Sequence, residues 1–322
     1  MSMRDEDLLI RTPENEFKLL LERDTVVADI KEKLHRWINV IHEMSSYGSN
    51  LIPRCYSSSA KNLKDAVVLA ILLRQVVAML DGVDILLVNG ATHVSNLPMR
   101  ALFEASAYID WVLLQDSEKK ADYYYVHNLR RKRLWAARAQ GDSAQSQKFL
   151  DMMATVGVPI NDELRDASKQ HIQEIDRILA QPQFAAINKD FDNLRRGSRD
   201  VAWYVPLGPK NLAALAQAVN KQAIYTFLYS TASEVMHASS YDQHIKIGKG
   251  EITFHPIRSM EGMRTIFYFT LTLAVGTFRT ILLEYRAEEI SGGSFARKYA
   301  EKWRKDFLSF PKIEVRAELK HF

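Results

Sequence analysis

Apolar residues recur at helical intervals through most of the chain. Between about Glu16 and Met44, Val27, Ile30, Leu34, Trp37, Ile38 and Ile41 share one face, and GSNLIP followed by CYSSSA reads as a loop. Residues 62–89, NLKDAVVLAILLRQVVAMLDGVDILLVN, form a long apolar segment. Apolarity nearly all the way round a helix marks a central element. GATHVSNLP interrupts it, and Pro98 suits the first turn of the next helix, 97–115. Asp116 or Ser117 can cap a further helix that runs to about Gln140. Residues 143–200 are more polar, with helical patterns broken at VGVPIND and QPQ and ending on NLRRGSR. VAWYVPLGP reads as a structured loop, followed by helices near 210–219 and 220–240. In HIKIGKGEITFHP, Ile245, Ile247, Ile252 and Phe254 alternate around GKG, which predicts a short β-hairpin near 244–255. Helices at about 259–288 and 293–308 complete the pattern.

The expected fold is all-α: a multi-helix bundle with long central apolar helices. A flexible tail over 1–14 precedes a single helical domain over 15–310, with a helical insertion at 140–205 and a C-terminal tail at 311–322.

Composition narrows the class. Of 322 residues, 47% are hydrophobic and 25% charged, as in ordinary soluble proteins. The single Cys55 cannot form an internal disulfide and suits a reducing, cytoplasmic setting. MSMRDEDLLIRTPENE lacks the apolar run of a signal peptide. The most lipid-like run, Thr265 to Phe278, is bracketed by Arg264 and Arg279. It is too short to span a bilayer, so no membrane is expected. The 13 Gly and nine Pro argue against a turn-rich sandwich or barrel. GxGxxG, P-loop and CxxC motifs are absent, so neither a nucleotide cofactor nor a cysteine-held metal is implied.

The best candidate site lies in NKQAIYTFLYSTASEVMHASS, where Tyr225, Tyr229, Ser233 and His237 stand at successive i+4 positions. On a helix these form one stripe, drifting about 40° per step. It runs beside Ile224, Leu228, Thr231 and Val235, with Glu234 close by. Two tyrosines on a core edge can equally pack their rings and point their hydroxyls outward. The apolar helices carry charges too: Arg74, Asp81 and Asp84 in the first, and Arg100, Glu104 and Asp110 in the second. Buried charges must find partners. They make either structural ion pairs between central helices or a polar pocket shared with Glu234 and His237.

The pattern MRALFEASAYIDWVL, a basic helix, and then YTFLYSTASEVMHASS resembles a bacterial all-helical family of unknown function over roughly residues 65–242. The matching positions are Arg100, Glu104, Tyr229, Ser233 and His237. Such domains distantly resemble the higher eukaryotes and prokaryotes nucleotide-binding superfamily, which includes metal-independent ribonucleases of defence and toxin systems. That superfamily's hallmark is an Arg, four to six residues, then His. Here Thr231 and Ser230 occupy the arginine's place before His237, whereas Arg36/His42, Arg165/His171 and Arg316/His321 fit the spacing elsewhere. The resemblance implies a composite site. His237 would act as general acid or base on a ribose phosphate, Arg100 would meet the phosphate, and Glu104 or Glu234 would orient the cations, with Tyr229 and Ser233 alongside.

Lys119–Arg138 has seven Lys/Arg and one acid, Asp122, a local balance of +6 against +4 for the whole chain. His127, Arg130, Arg131 and Arg138 share a face, with Arg133 nearby and Tyr124 just upstream. Basic and aromatic residues together suit RNA or another nucleic acid. A solvated face paired with the acids of 161–176 is the plainer reading. Glu234 and His237 also form a Glu-x-x-His, as do Glu32 and His35. A di-metal bundle would need further carboxylates, and Glu32 is expected to face solvent, so no metal site is assigned. The aromatics and the apolar 265–278 helix point to a homo-oligomer. The expected function is a nucleic-acid-directed protein of the toxin or defence type, a metal-independent ribonuclease in its sharpest form. The alternative is a non-catalytic helical module that binds a partner protein or nucleotide.

Overall fold

The computed structural model describes residue 21 and residues 23–195, 200–237, 239, 244–248 and 251–311. The tail expected at 1–14, and all but the first residue of the tail expected at 311–322, lie outside the described residues. The protein is a multi-helix, all-α chain. Its elements are α1 (Arg23–Lys33), α2 (His35–Ser57), α3 (Leu63–Val88), α4 (Asn96–Leu114) and α5 (Ser117–Ala137). After them come α6 (Ala144–Thr155), α7 (Asp162–Leu179), α8 (Pro182–Leu194), α9 (Leu212–Ala218) and α10 (222–236). Strands β1 (Ile245–Gly248) and β2 (Glu251–Phe254) pair antiparallel, with Ile245 opposite Phe254. The chain continues through α11 (Met263–Tyr285), α12 (Ala287–Ser291) and α13 (296–308).

Contacts divide the chain into two compact units. The first comprises Met1–Arg54, Arg74–Ser106 and Ala223–Phe322; the second comprises Cys55–Leu73 and Ala107–Gln222.

In the first unit the core is built by Ile41, Met44 and Leu51 of α2, Val76, Leu80 and Leu87 of α3, Phe103 of α4, and Phe267, Phe278 and Ile281 of α11, all buried. Gly48 lets α2 approach its neighbours. A Cβ there would stand 2.8 Å from Val77 Cγ2 and 2.9 Å from the Phe278 ring. One residue earlier, Tyr47 packs on Phe278, Phe295, Tyr299 and Trp303 with ring centroids 4.4–5.7 Å apart. The buried hydroxyls of Ser106 and Thr277 satisfy each other at 2.7 Å.

In the second unit, α5 supplies Tyr123, Val126 and Leu129, which pack with Ile175 and Leu179 of α7 and Phe184, Ile187 and Phe191 of α8. Asn161 caps α7 through Leu164 N at 2.9 Å. Pro182 opens α8, where its missing N–H costs nothing.

Three sequence expectations change. GSNLIP–CYSS is not a loop, since α2 runs through Pro53 to Ser57. Leu51 and Cys55 are fully buried, so packing outweighs the backbone bond that proline removes. Arg74 and Asp81 are not buried ion partners: both are exposed. On the same helix Ile71 and Ile85 are 45% and 56% exposed, so α3 has a solvent face that uniform apolarity concealed. Finally, the helix expected at about 259–288 is seen as Met263–Tyr285, and its apolar length is not limited to the 14 residues between Arg264 and Arg279. By length and composition, α3 and α11 are each long and apolar enough to cross a membrane, although 44% and 56% of their most apolar windows are buried inside the protein.

Candidate functional site

Arg100 lies one turn into α4, and its side chain is only 16% exposed. Its Nε donates to Glu104 Oε1 at 3.2 Å, the i+4 position on the same helix. Its Nη2 donates to the Tyr229 hydroxyl, and its Cζ stands 4.0 Å from the Tyr229 ring centroid. Nη1 faces Met236 Sδ at 3.6 Å. Tyr229 in turn stacks on Tyr225 with centroids 4.8 Å apart and planes 20° from parallel. The segment Tyr225–Tyr229 is a π-helical turn within α10, which re-aims the i+4 stripe that an undistorted helix would carry. Burial pushes the Tyr229 phenol above its usual range, partly offset by Arg100, so it keeps its proton at neutral pH.

The structure therefore brings Arg100, Glu104 and Tyr229 together. His237 follows Met236 directly, at the C-cap of α10, with φ −98° and ψ 9°. Its ring is exposed, and among the described residues no hydrogen bond or ion pair of its side chain is seen. Ser233 is half-buried and gives its carbonyl to the His237 N–H at 3.0 Å. Glu234 is exposed, and its carbonyl accepts from the Ser239 N–H at 3.0 Å. Asp110, from the same group of helix charges, pairs with Lys221 at 2.7 Å, and Asp84 meets His42 at 3.3 Å.

The basic helix α5 is more self-contained than its charge suggests. Arg130 is 10% exposed and forks onto Asp200, with Nε to Oδ2 at 2.7 Å and Nη2 to Oδ1 at 2.9 Å. It also reaches Asp192 at 2.8 Å, the Asn188 carbonyl at 3.1 Å and the Asn188 side chain. Arg133 forks onto Asp176 at 2.5 and 3.0 Å. Arg138 lies 3.9 Å over the Trp135 ring, and Arg131 is exposed. Tyr124 packs edge-on against Trp203 at 5.3 Å. His127 is half-buried. Burial first, then the Arg131 charge, pushes its pKa down to about 4, so it carries no charge for a phosphate at neutral pH. Pairing with the acidic face of α7 thus accounts for Arg133, as the plainer reading expected.

Sequence reasoning missed several anchors. Lys120 was counted in the basic face but is 4% exposed, with Nζ on the Trp111 carbonyl at 2.7 Å and 3.9 Å over the Trp111 ring. Burial lowers its pKa, opposed by Asp116. Asp200 and Asn188 lie 58 to 70 residues from Arg130, and no local pattern marks them. Arg36, in the Arg36/His42 spacing, turns to Asp306 at 2.6 Å rather than toward a site with His42. Among the described residues, no group of three or more His, Cys, Asp or Glu could hold a metal ion.

No curated protein and no solved structure matches the chain at a significant level. A family profile does match, over residues 65–252, which takes in α3, α4, the basic α5 and the Tyr225–His237 segment. Since that span exceeds half of the 322 residues, the chain belongs to the family of unknown function DUF5677.

Proposed function

We propose that this chain is a nucleic-acid-directed protein of the toxin or defence type, whose chemistry is metal-independent cleavage of RNA at Arg100, Tyr229 and His237. One observation carries this reading. Arg100 is held in a fixed pose by Glu104 and Tyr229, and the exposed imidazole of His237, which has no side-chain partner among the described residues, follows the methionine that touches it. The guanidinium supplies positive charge for a phosphate. The Tyr229 phenol, which keeps its proton, supplies a donor for a phosphate oxygen. Glu104 positions the arginine. His237 takes the ribose 2′-hydroxyl proton as that oxygen attacks phosphorus, and then returns a proton to the departing 5′-oxygen. In the second unit, taken by itself, the exposed Arg131 is open to a phosphate, whereas Arg130 and Arg133 are occupied by Asp200 and Asp176.

The second reading, a non-catalytic helical interaction module, draws on the exposed Ile85 and Val88 of α3. One experiment separates the two: cleavage of RNA in EDTA by wild type, Arg100→Ala and His237→Ala, with thermal melts of each. His237→Ala should lose at least about a hundredfold in rate at an unchanged melting temperature. A fully active, stable His237→Ala protein removes the catalytic reading. Loss of wild-type activity in EDTA removes the metal-free chemistry.

A further inference from the structure

A second constellation lies in the first unit and is independent of Arg100. His42 projects from α2 with its side chain 68% exposed, and its Nδ1 stands 3.3 Å from Asp84 Oδ2 on α3. Asp84 is only 8% exposed, and among the described residues its buried Oδ1 has no hydrogen-bond partner. A carboxylate is costly to bury, and here it is spent on a single ring nitrogen. While Asp84 is ionised, Nδ1–H donates to it, and Nε2 keeps its lone pair on the open side of the ring. A buried carboxylate that fixes the tautomer of an accessible imidazole is the arrangement that makes histidine a directed general base.

The ring opens onto a cleft of about 920 Å³ between α2 and α3. Ser46 and Ser49 line it one and two turns beyond His42, and Arg74 and Asp81 face them from α3. Arg74 is exposed, and among the described residues it has no ion-pair or hydrogen-bond partner. Ile52, Pro53, Val77 and Ala78 add apolar lining. Charge selects the ligand. Arg74 and Asp81 balance each other in the lining, which carries no net charge for a phosphate and suits a neutral ester with an alkyl arm.

We propose that this cleft is a second acid–base site, in which His42, held by Asp84, hydrolyses a carboxylic ester. Nε2 takes a proton from water as the water oxygen bonds to the carbonyl carbon. The C–O bond to the alcohol then breaks, and the departing oxygen recovers the proton from His42. Ester and water become carboxylic acid and alcohol, with no other reactant. Asp84 is a positioning residue, whereas His42 touches the reacting atoms.

The test uses the full chain and p-nitrophenyl butyrate in EDTA, following release of p-nitrophenolate. Wild type should exceed the buffer rate. His42→Gln should lose at least about a hundredfold in kcat. Asp84→Asn should lower kcat while leaving KM in place, because an amide can hold either tautomer. His171→Ala, an exposed imidazole on α7, should behave as wild type. A wild-type rate equal to buffer overturns the proposal, as does a His42→Gln rate equal to wild type. If His171→Ala loses as much as His42→Gln, the activity is that of any surface imidazole, and the proposal again fails. Should Asp84→Asn not fold, the exposed His42→Gln decides, and an unchanged kcat there overturns the site.

Discussion

Replacing Arg130 by alanine tests whether the basic helix is held by structure or kept free for a ligand. The side chain is 10% exposed and makes bonds to Asp200, Asp192 and Asn188. Removing one partner of a buried pair costs about 3–5 kcal/mol, because the other charge is left without compensation. Asp192 is 56% exposed and adds little, while Asp200, at 16%, keeps Arg195 at 4.0 Å. The expected loss is therefore near the lower end, about 3 kcal/mol, read from urea unfolding at pH 7. The pH dependence supplies an internal check. Burial pushes the Asp200 carboxyl up, but its bonds to Arg130 and that charge outweigh burial and hold it below the usual range. A depressed carboxylate contributes stability above its unfolded-state value of about 3.9 and loses it as pH falls through the folded value. The gap between wild type and Arg130→Ala should thus narrow below about pH 4. A gap under about 1 kcal/mol at pH 7, or one that does not narrow in acid, would refute the structural account of Arg130.

The remaining expectations follow from other contacts. Gly48→Ala should destabilise by about 1–3 kcal/mol in urea melts despite alanine's better helix propensity, because the new methyl meets Val77 and Phe278; a stabilised variant would show that α2 has room. Since the folded state holds His127 near 4, an NMR titration should place its midpoint far below an ordinary histidine. Protonation of the unfolded chain should then drain stability as pH falls from about 6.5 toward 4, and His127→Phe should lose less over that window. Arg100→Ala leaves Glu104 and the Tyr229 hydroxyl without their donor, at a cost of about 1–3 kcal/mol. A cost near zero would mean that neither contact persists in solution.

The candidate site was only partly legible in the sequence. Arg100 and Glu104 could be paired from i+4 spacing alone, because one helix brings them together. Tyr229 could be placed on a stripe, but not on the guanidinium, since that meeting depends on the π turn at Tyr225–Tyr229 and on the packing of α10 near α4. His237 belonged to the same stripe on an ideal helix, yet α10 ends at Met236 and leaves its ring exposed. The His42–Asp84 pair spans 42 residues and two helices, and neither residue's neighbours announce it.

By itself the sequence determined the all-helical class and the approximate position of most helices. Apolar spacing is a local property that burial of one face then stabilises. It also offered the acids of 161–176 as partners for the basic helix, and Asp176 of α7 does meet Arg133. Tertiary structure alone decided which charges were used up and which were left accessible. Arg130, Arg133 and Lys120 looked like a binding face, but they are tied to Asp200, Asp176 and the Trp111 carbonyl. Arg74, counted among buried charges, stands open to solvent. A side chain's charge is written in its codon, but its availability depends on which distant partner the fold places within about 3 Å of it.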